Sequence, residues 1–119
     1  MRYKAMMAVA AIGLAAPALA EEWDFILVND SGKEIKTIEL SPAGAATWVA
    51  NKVEEGSTAK AVRPGGRTTV HFEKGDKCGY DIKATFDDDT SGVWSNINVC
   101  NNAYVTLRYR NGAPVFAAN

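Results

Sequence analysis

The sequence predicts an all-β fold, a two-layer antiparallel β-sandwich or small open barrel of about seven short strands with one short helical segment. Three observations predict it. No long segment carries apolar residues at helical spacing. Short β-branched and aromatic runs recur instead, and turn residues divide them about every ten positions. A single sheet would leave one set of these apolar residues in water, so a second layer is required.

The elements follow in order. Trp23 to Asn29 (WDFILVN) reads as a central strand buried on both faces, closed by the turn sequence Asn29-Asp30-Ser31-Gly32. Glu34 to Leu40 is the second strand, stopped by Ser41-Pro42. Its apolar residues change parity between Ile35 and the Ile38/Leu40 pair, which predicts a bulge or a twist. Pro42 to Val53 is Ala-rich and predicts one or two helical turns, weakened by Gly44. Glu54 to Lys60 is polar and reads as a loop, and Pro64-Gly65-Gly66 turns into a strand over Arg67 to Glu73. Cys78 to Phe86 alternates most clearly, with Cys78, Tyr80, Ile82, Ala84 and Phe86 on the core face and Asp81, Lys83 and Thr85 on a wet one. Asp87 to Gly92 turns into Val93 to Cys100, and Asn101-Asn102 turns into Ala103 to Arg110. Asn111-Gly112 then leads to a terminal strand over Pro114 to Ala117. In the hairpin around Asp89, a register that pairs Ile82 with Ile97 and Tyr80 with Val99 buries apolar groups together, with a bulge near Cys100.

The 119 residues bound one small domain, and 47% hydrophobic with 23% charged residues is ordinary globular usage. A balance of 13 basic against 14 acidic residues lacks the clustered positive charge that neutralising several phosphates requires, so no nucleic-acid partner is expected.

The start of the chain reads as an address. Arg2 and Lys4 precede an uncharged apolar run, Met6 to Ala16, and Ala18-Leu19-Ala20 offers the small-x-small pattern of a signal-peptidase site. The run is shorter than the roughly 20 residues of a spanning helix, so no integral membrane segment is expected in the mature chain. Residues 1–20 are therefore expected to be a cleaved signal peptide and residues 21–119 a single β domain, periplasmic or secreted. Loss of Arg2 and Lys4 moves the net charge from -1 to -3. In an oxidising compartment the even cysteine count favours a Cys78–Cys100 disulfide, and closing a loop of that length is worth about 3 kcal/mol. One His and two Cys, with no C-x-x-C, do not assemble the usual ligands of a structural zinc site.

Phe25, Leu27 and Asn29, then Ser41-Pro42 and Trp48, then Cys78 with Tyr80-Asp81-Ile82, Trp94 and Cys100, form the patterns F-x-L-x-N, S-P followed by Trp, C-x-Y-D-I and W-to-Cys. Over nearly all of the mature chain these resemble a group of small secreted bacterial proteins of unknown function, often labelled Tat-signal protein or argininosuccinate lyase. The chain itself has no twin Arg and is far too short for such a lyase. Val49 and Val99 stand where similar sequences often carry Gly and Leu. The resemblance implies a compact extracytoplasmic β domain with no assigned activity.

Chemistry-bearing residues are few. His71 is the sole imidazole and sits between Val70 and Phe72 in a strand, with no accompanying nucleophile motif, so no catalytic role is assigned and the chain is read as a non-enzyme. Asp87, Asp88 and Asp89 place three hard carboxylates in one turn and offer weak calcium binding, although their consecutive spacing is not that of an EF-hand. No other cofactor is expected. Trp48, beside Asn51 and Lys52, is the tryptophan with most scope for a partner surface, whereas Trp94 reads as packing. The sequence thus points to a non-catalytic interaction module for an envelope or extracellular protein partner, with a calcium-responsive turn as the alternative.

Overall fold

The computed structural model describes residues 21–51 and 61–119. The expected signal peptide, the Glu54 to Lys60 loop and the last two residues of the expected helix lie outside these. The described chain forms β1 (Glu21–Asp30), β2 (Ile35–Pro42), β3 (Val49–Ala50), β4 (Arg67–Lys74), β5 (Gly79–Phe86), β6 (Ser91–Asn98), β7 (Tyr104–Arg110) and β8 (Ala113–Ala118). The first sheet has the order β4-β1-β7-β8 and the second β3-β2-β5-β6. The chain is all-β and arranged as a sandwich, as the patterning predicts.

Period-two alternation supplies the core. Phe25 and Leu27 of β1, Val70 and Phe72 of β4, and Val105 and Leu107 of β7 are buried from the first sheet. Ile38, Leu40, Ile82, Phe86, Trp94 and Ile97 meet them from the second. Trp94 does more than fill space. Its Nε1 donates to the carbonyls of Arg108 at 3.1 Å and Val115 at 2.9 Å, fastening β6 to the β7–β8 pair across the sandwich.

Among the described residues all ladders but one are antiparallel; β1 and β7 run parallel, Ile26 beside Tyr104 through Asp30 beside Arg108. The β1 strand is central, as expected, but only one of its faces is closed. Phe25, Leu27 and Asn29 are buried, while Ile26 and Val28 are half-buried on the outer face. Apolar content had suggested two covered faces, and the sandwich supplies only one. The parity change in the second strand is a register shift between Ile35 and Thr37, as predicted.

Two local expectations are corrected. No helix forms in the described part of Pro42 to Val53. Gly44 and Ala46 adopt left-handed φ values of 80° and 53°, which a right-handed helix excludes. The N–H groups that would have begun a helix go elsewhere. Asp81 Oδ2 accepts the Gly44 N–H at 3.0 Å and Ser41 Oγ accepts the Thr47 N–H at 2.9 Å. The segment instead crosses the outer face of the second sheet and contributes β3, an eighth strand.

The register of the β5–β6 hairpin is the second correction. Ile82 pairs with Trp94 and Tyr80 with Ile97, not Ile82 with Ile97. The loop is shorter than assumed: Asp89 N–H donates to the Phe86 carbonyl, Phe86 N–H to that of Thr90, and Asp89 is left-handed at φ 67°. This is the three-residue hairpin loop in which an αL residue follows a tight turn. The extra residue needed to keep Trp94, Ile97 and Val99 all inside is taken up by a bulge between Tyr80 and Ile82, where Asn96 has φ 57°. Asp81 sits opposite that bulge and is buried rather than wet.

Candidate functional site

At the open edge between β3 and β4 the two layers part and leave a cleft of about 280 Å³. Its floor is made by inward residues of three strands, Leu40, Phe72 and Tyr80, and its rim by Pro42, Thr47, Val49, Ala50, His71 and Glu73. The floor is apolar because these are buried, inward-facing positions of their strands. Val49 is 60% exposed, the most exposed large aliphatic among the described residues. The Tyr80 hydroxyl donates to the Glu73 carbonyl at 3.3 Å and accepts from the Gly75 N–H at 3.4 Å, so the one polar group of the floor is tied to the β4–β5 turn. Phe72 stacks edge-on to both Tyr80 and Phe25, which holds the floor rigid.

His71 stands on the rim. Its backbone N–H donates to Asn51 Oδ1 at 3.2 Å, tying the strand edge to the residue after β3. Its Nδ1 is 3.8 Å from Asp24 Oδ2, directly across the β1–β4 pair and beyond hydrogen-bond distance. Behind the rim, Ser41 Oγ donates to the Pro42 carbonyl while accepting from the Thr47 N–H. Trp48 is half-buried on the outer face of the second sheet, not in the cleft. Lys83 Nζ lies 5.7 Å from its ring centre and 3.9 Å from Glu39 Oε1. Thr47 and Val49, on either side of Trp48, are the residues that reach the cleft.

Cys78 and Cys100 form a disulfide, their Cα atoms 5.4 Å apart, joining the chain entering β5 to the chain leaving β6. It closes the end of the hairpin opposite the acidic turn and anchors Gly79 and Tyr80 beside the cleft.

Two of the three turn carboxylates are engaged by lysines, one in the β1–β2 connection and one at the start of β2. Lys33 Nζ is 2.8 Å from Asp88 Oδ2, and Lys36 Nζ meets Asp89 Oδ1. Hydrogen bonds from Lys33 and then Thr90 hold the Asp88 carboxyl well below the usual carboxylate range, and the same contact raises Lys33. Asp87 is exposed and its N–H donates to the Glu34 carbonyl. The turn acts as a charged clasp between two loops. Among the described residues no group of three or more His, Cys, Asp or Glu side chains could hold a metal ion.

Asn29 turns out to be a fastener. It is fully buried, its Nδ2 donating to the carbonyls of Lys33 and Val62 and its Oδ1 accepting from Ser31. Sequence reasoning passed over Leu40, Phe72 and Tyr80 as a site because their inward parity signals only core. Val49 carried the one usable signal, an aliphatic residue in an otherwise polar or small-residue segment.

No family model matches the chain, and no curated protein matches it. Among solved structures it is similar to the NMR structure of a protein from Eubacterium rectale, with a TM-score of 0.55 and 10% sequence identity over 82% of this chain and 88% of that one. At that identity the likeness is one of fold alone.

Proposed function

We propose that the chain is a non-catalytic extracytoplasmic interaction module whose cleft between β3 and β4 receives one apolar side chain of a partner protein. The cleft carries this reading. At about 280 Å³ the cleft lies at the lower bound of the roughly 300–1,000 Å³ of small-molecule pockets and has room for one side chain. An apolar floor with a mixed rim, Pro42, Val49 and Ala50 beside Thr47, His71 and Glu73, suits a single anchoring apolar side chain. The disulfide supports an oxidising compartment, and among the described residues no helix is long and apolar enough to cross a membrane.

Two measurements test it. Intact mass of the protein from its own envelope fraction is expected to begin at Glu21 and to be two hydrogens light. A retained leader or free thiols would overturn the compartment. A photo-cross-linking residue at Val49 is expected to capture a defined envelope protein that the same residue at Val93, on the opposite edge, does not. Equal adducts at both positions, or none at Val49, would remove the cleft from the interaction.

A further inference from the structure

We propose that the outer edge of β8 is a self-association edge, at which two copies of this chain pair antiparallel, β8 against β8, and join their first sheets into one continuous eight-stranded sheet. This surface lies on the side of the sandwich away from the cleft and does not depend on the reading of it.

An open sandwich has four strand edges, and exposed edges in native proteins are ordinarily blunted. Three are blunted here. The β3 edge is two residues long. The β6 edge carries the bulge at Asn96, whose N–H is captured by Asp81 Oδ1 at 2.8 Å. On β4 the outward N–H of His71 is taken by Asn51 and the carbonyl of Glu73 by the Tyr80 hydroxyl.

The β8 edge has neither charge nor bulge, and its one blunting residue, Pro114, lies near its start. Tyr104 and Asn119 exchange both backbone hydrogen bonds, at 2.8 and 3.0 Å. Alternation along the β7–β8 register therefore makes Leu107/Phe116 and Val105/Ala118 non-hydrogen-bonded pairs. The N–H and C=O groups of Phe116 and Ala118 consequently point away from β7. The strand APVFAA contains no ionisable side chain, and Phe116 is 39% exposed.

A second copy fits this edge for a reason of charge and register. Antiparallel pairing about Phe116 sets Phe116 opposite its own counterpart and Pro114 opposite Ala118. No like charges meet. Phe116 exchanges two bonds with its counterpart, and each Ala118 N–H donates to a Pro114 carbonyl. Pro114 lacks an N–H, so the ladder ends there, short and readily reversible.

Sedimentation equilibrium over rising concentration is expected to show the mass climbing from one copy towards two. Phe116→Lys and Ala118→Pro are expected to hold the chain monomeric with unchanged circular dichroism. Pro at 118 removes the outward donor, and Phe116→Lys supplies a second variant that leaves the packing of Ala118 against the core intact. Trapping gives an independent readout. A hydrogen-bonded antiparallel pair sets Cα atoms about 5.5 Å apart, within disulfide reach. Phe116→Cys should thus link two copies on oxidation, whereas Ala113→Cys, about 20 Å from its counterpart in this register, should not. A wild-type mass of one copy at all concentrations, a dimer surviving both variants, or equal linkage at 113 and 116 would each overturn the proposal.

Discussion

The buried carboxylate of Asp81 accepts the backbone N–H of Asn96 at 2.8 Å, and this contact holds the bulge that sets the inner register of β6. Its other oxygen takes the Gly44 N–H at 3.0 Å, so one side chain orders both the bulge and the loop leading to the cleft. Asp81→Ala leaves two backbone donors without their acceptor. It is expected to cost about 1–3 kcal/mol per donor that stays buried, read as a lower denaturation midpoint at unchanged slope. An unchanged midpoint would show that water replaces the carboxylate.

Gly92 is expected to be intolerant for a packing reason. A Cβ placed there would lie 2.1 Å from the Tyr109 hydroxyl oxygen and 3.2 Å from the Trp94 ring. Tyr109 is held against Trp94 and Phe86, with ring centres 5.3 and 6.3 Å away, so it has little room to retreat. Gly92→Ala should destabilise by about 1–3 kcal/mol, as overpacking does. Adding Tyr109→Phe, which removes the clashing oxygen, should recover part of that loss in a double-mutant cycle.

Reduction of Cys78–Cys100, which spans 22 residues, should lower stability by about 3 kcal/mol on the chain-entropy account. Amide exchange should rise first at Gly79, Tyr80 and Val99, because the disulfide closes that end of the hairpin. Uniform loss across both sheets would instead mean that the hairpin does not open as a local unit.

The acidic turn predicts a pH dependence with a definite sign. Asp88 has a folded pKa depressed from 3.8, so its contribution is present above that value and lost as pH falls further. Lys33 is raised above 10.5, chiefly by the hydrogen bond with Asp88, so its share is present below that value and lost as pH rises through the folded pKa. Tyr109 is raised by burial and loses its neutral form's advantage in the same alkaline range. Urea midpoints of Asp88→Asn should fall less steeply than wild type between about pH 4 and 2, with the difference shrinking in high salt because the pair is exposed. Parallel curves would show that the clasp contributes nothing measurable.

Much of the architecture was legible because strands advertise themselves locally. Alternation in Tyr80, Ile82, Ala84 and Phe86 identified an inward face, and Asn111-Gly112 identified a two-residue hairpin turn whose residues have φ values of 53° and 80°. Asp81 was misread as wet because parity places it on the outer face, and only the folded-back loop over Ser41 and Asp81 buries that part of it. The expected helix failed for the same reason: propensity in the Ala-rich segment competes weakly against distant side chains that capture its N–H groups.

By itself the sequence determined the all-β class, most strand positions, the pairing of its two cysteines and the inward residues, since period-two patterning and turn chemistry act within a few residues. Tertiary structure alone decided the parallel β1–β7 pairing, the 176-to-177 slip in pair sums across the β5–β6 bulge, the cleft and the open β8 edge. Those features depend on which strands end beside one another, and that is set by packing two sheets around Trp94 and its neighbours rather than by any local stretch of chain.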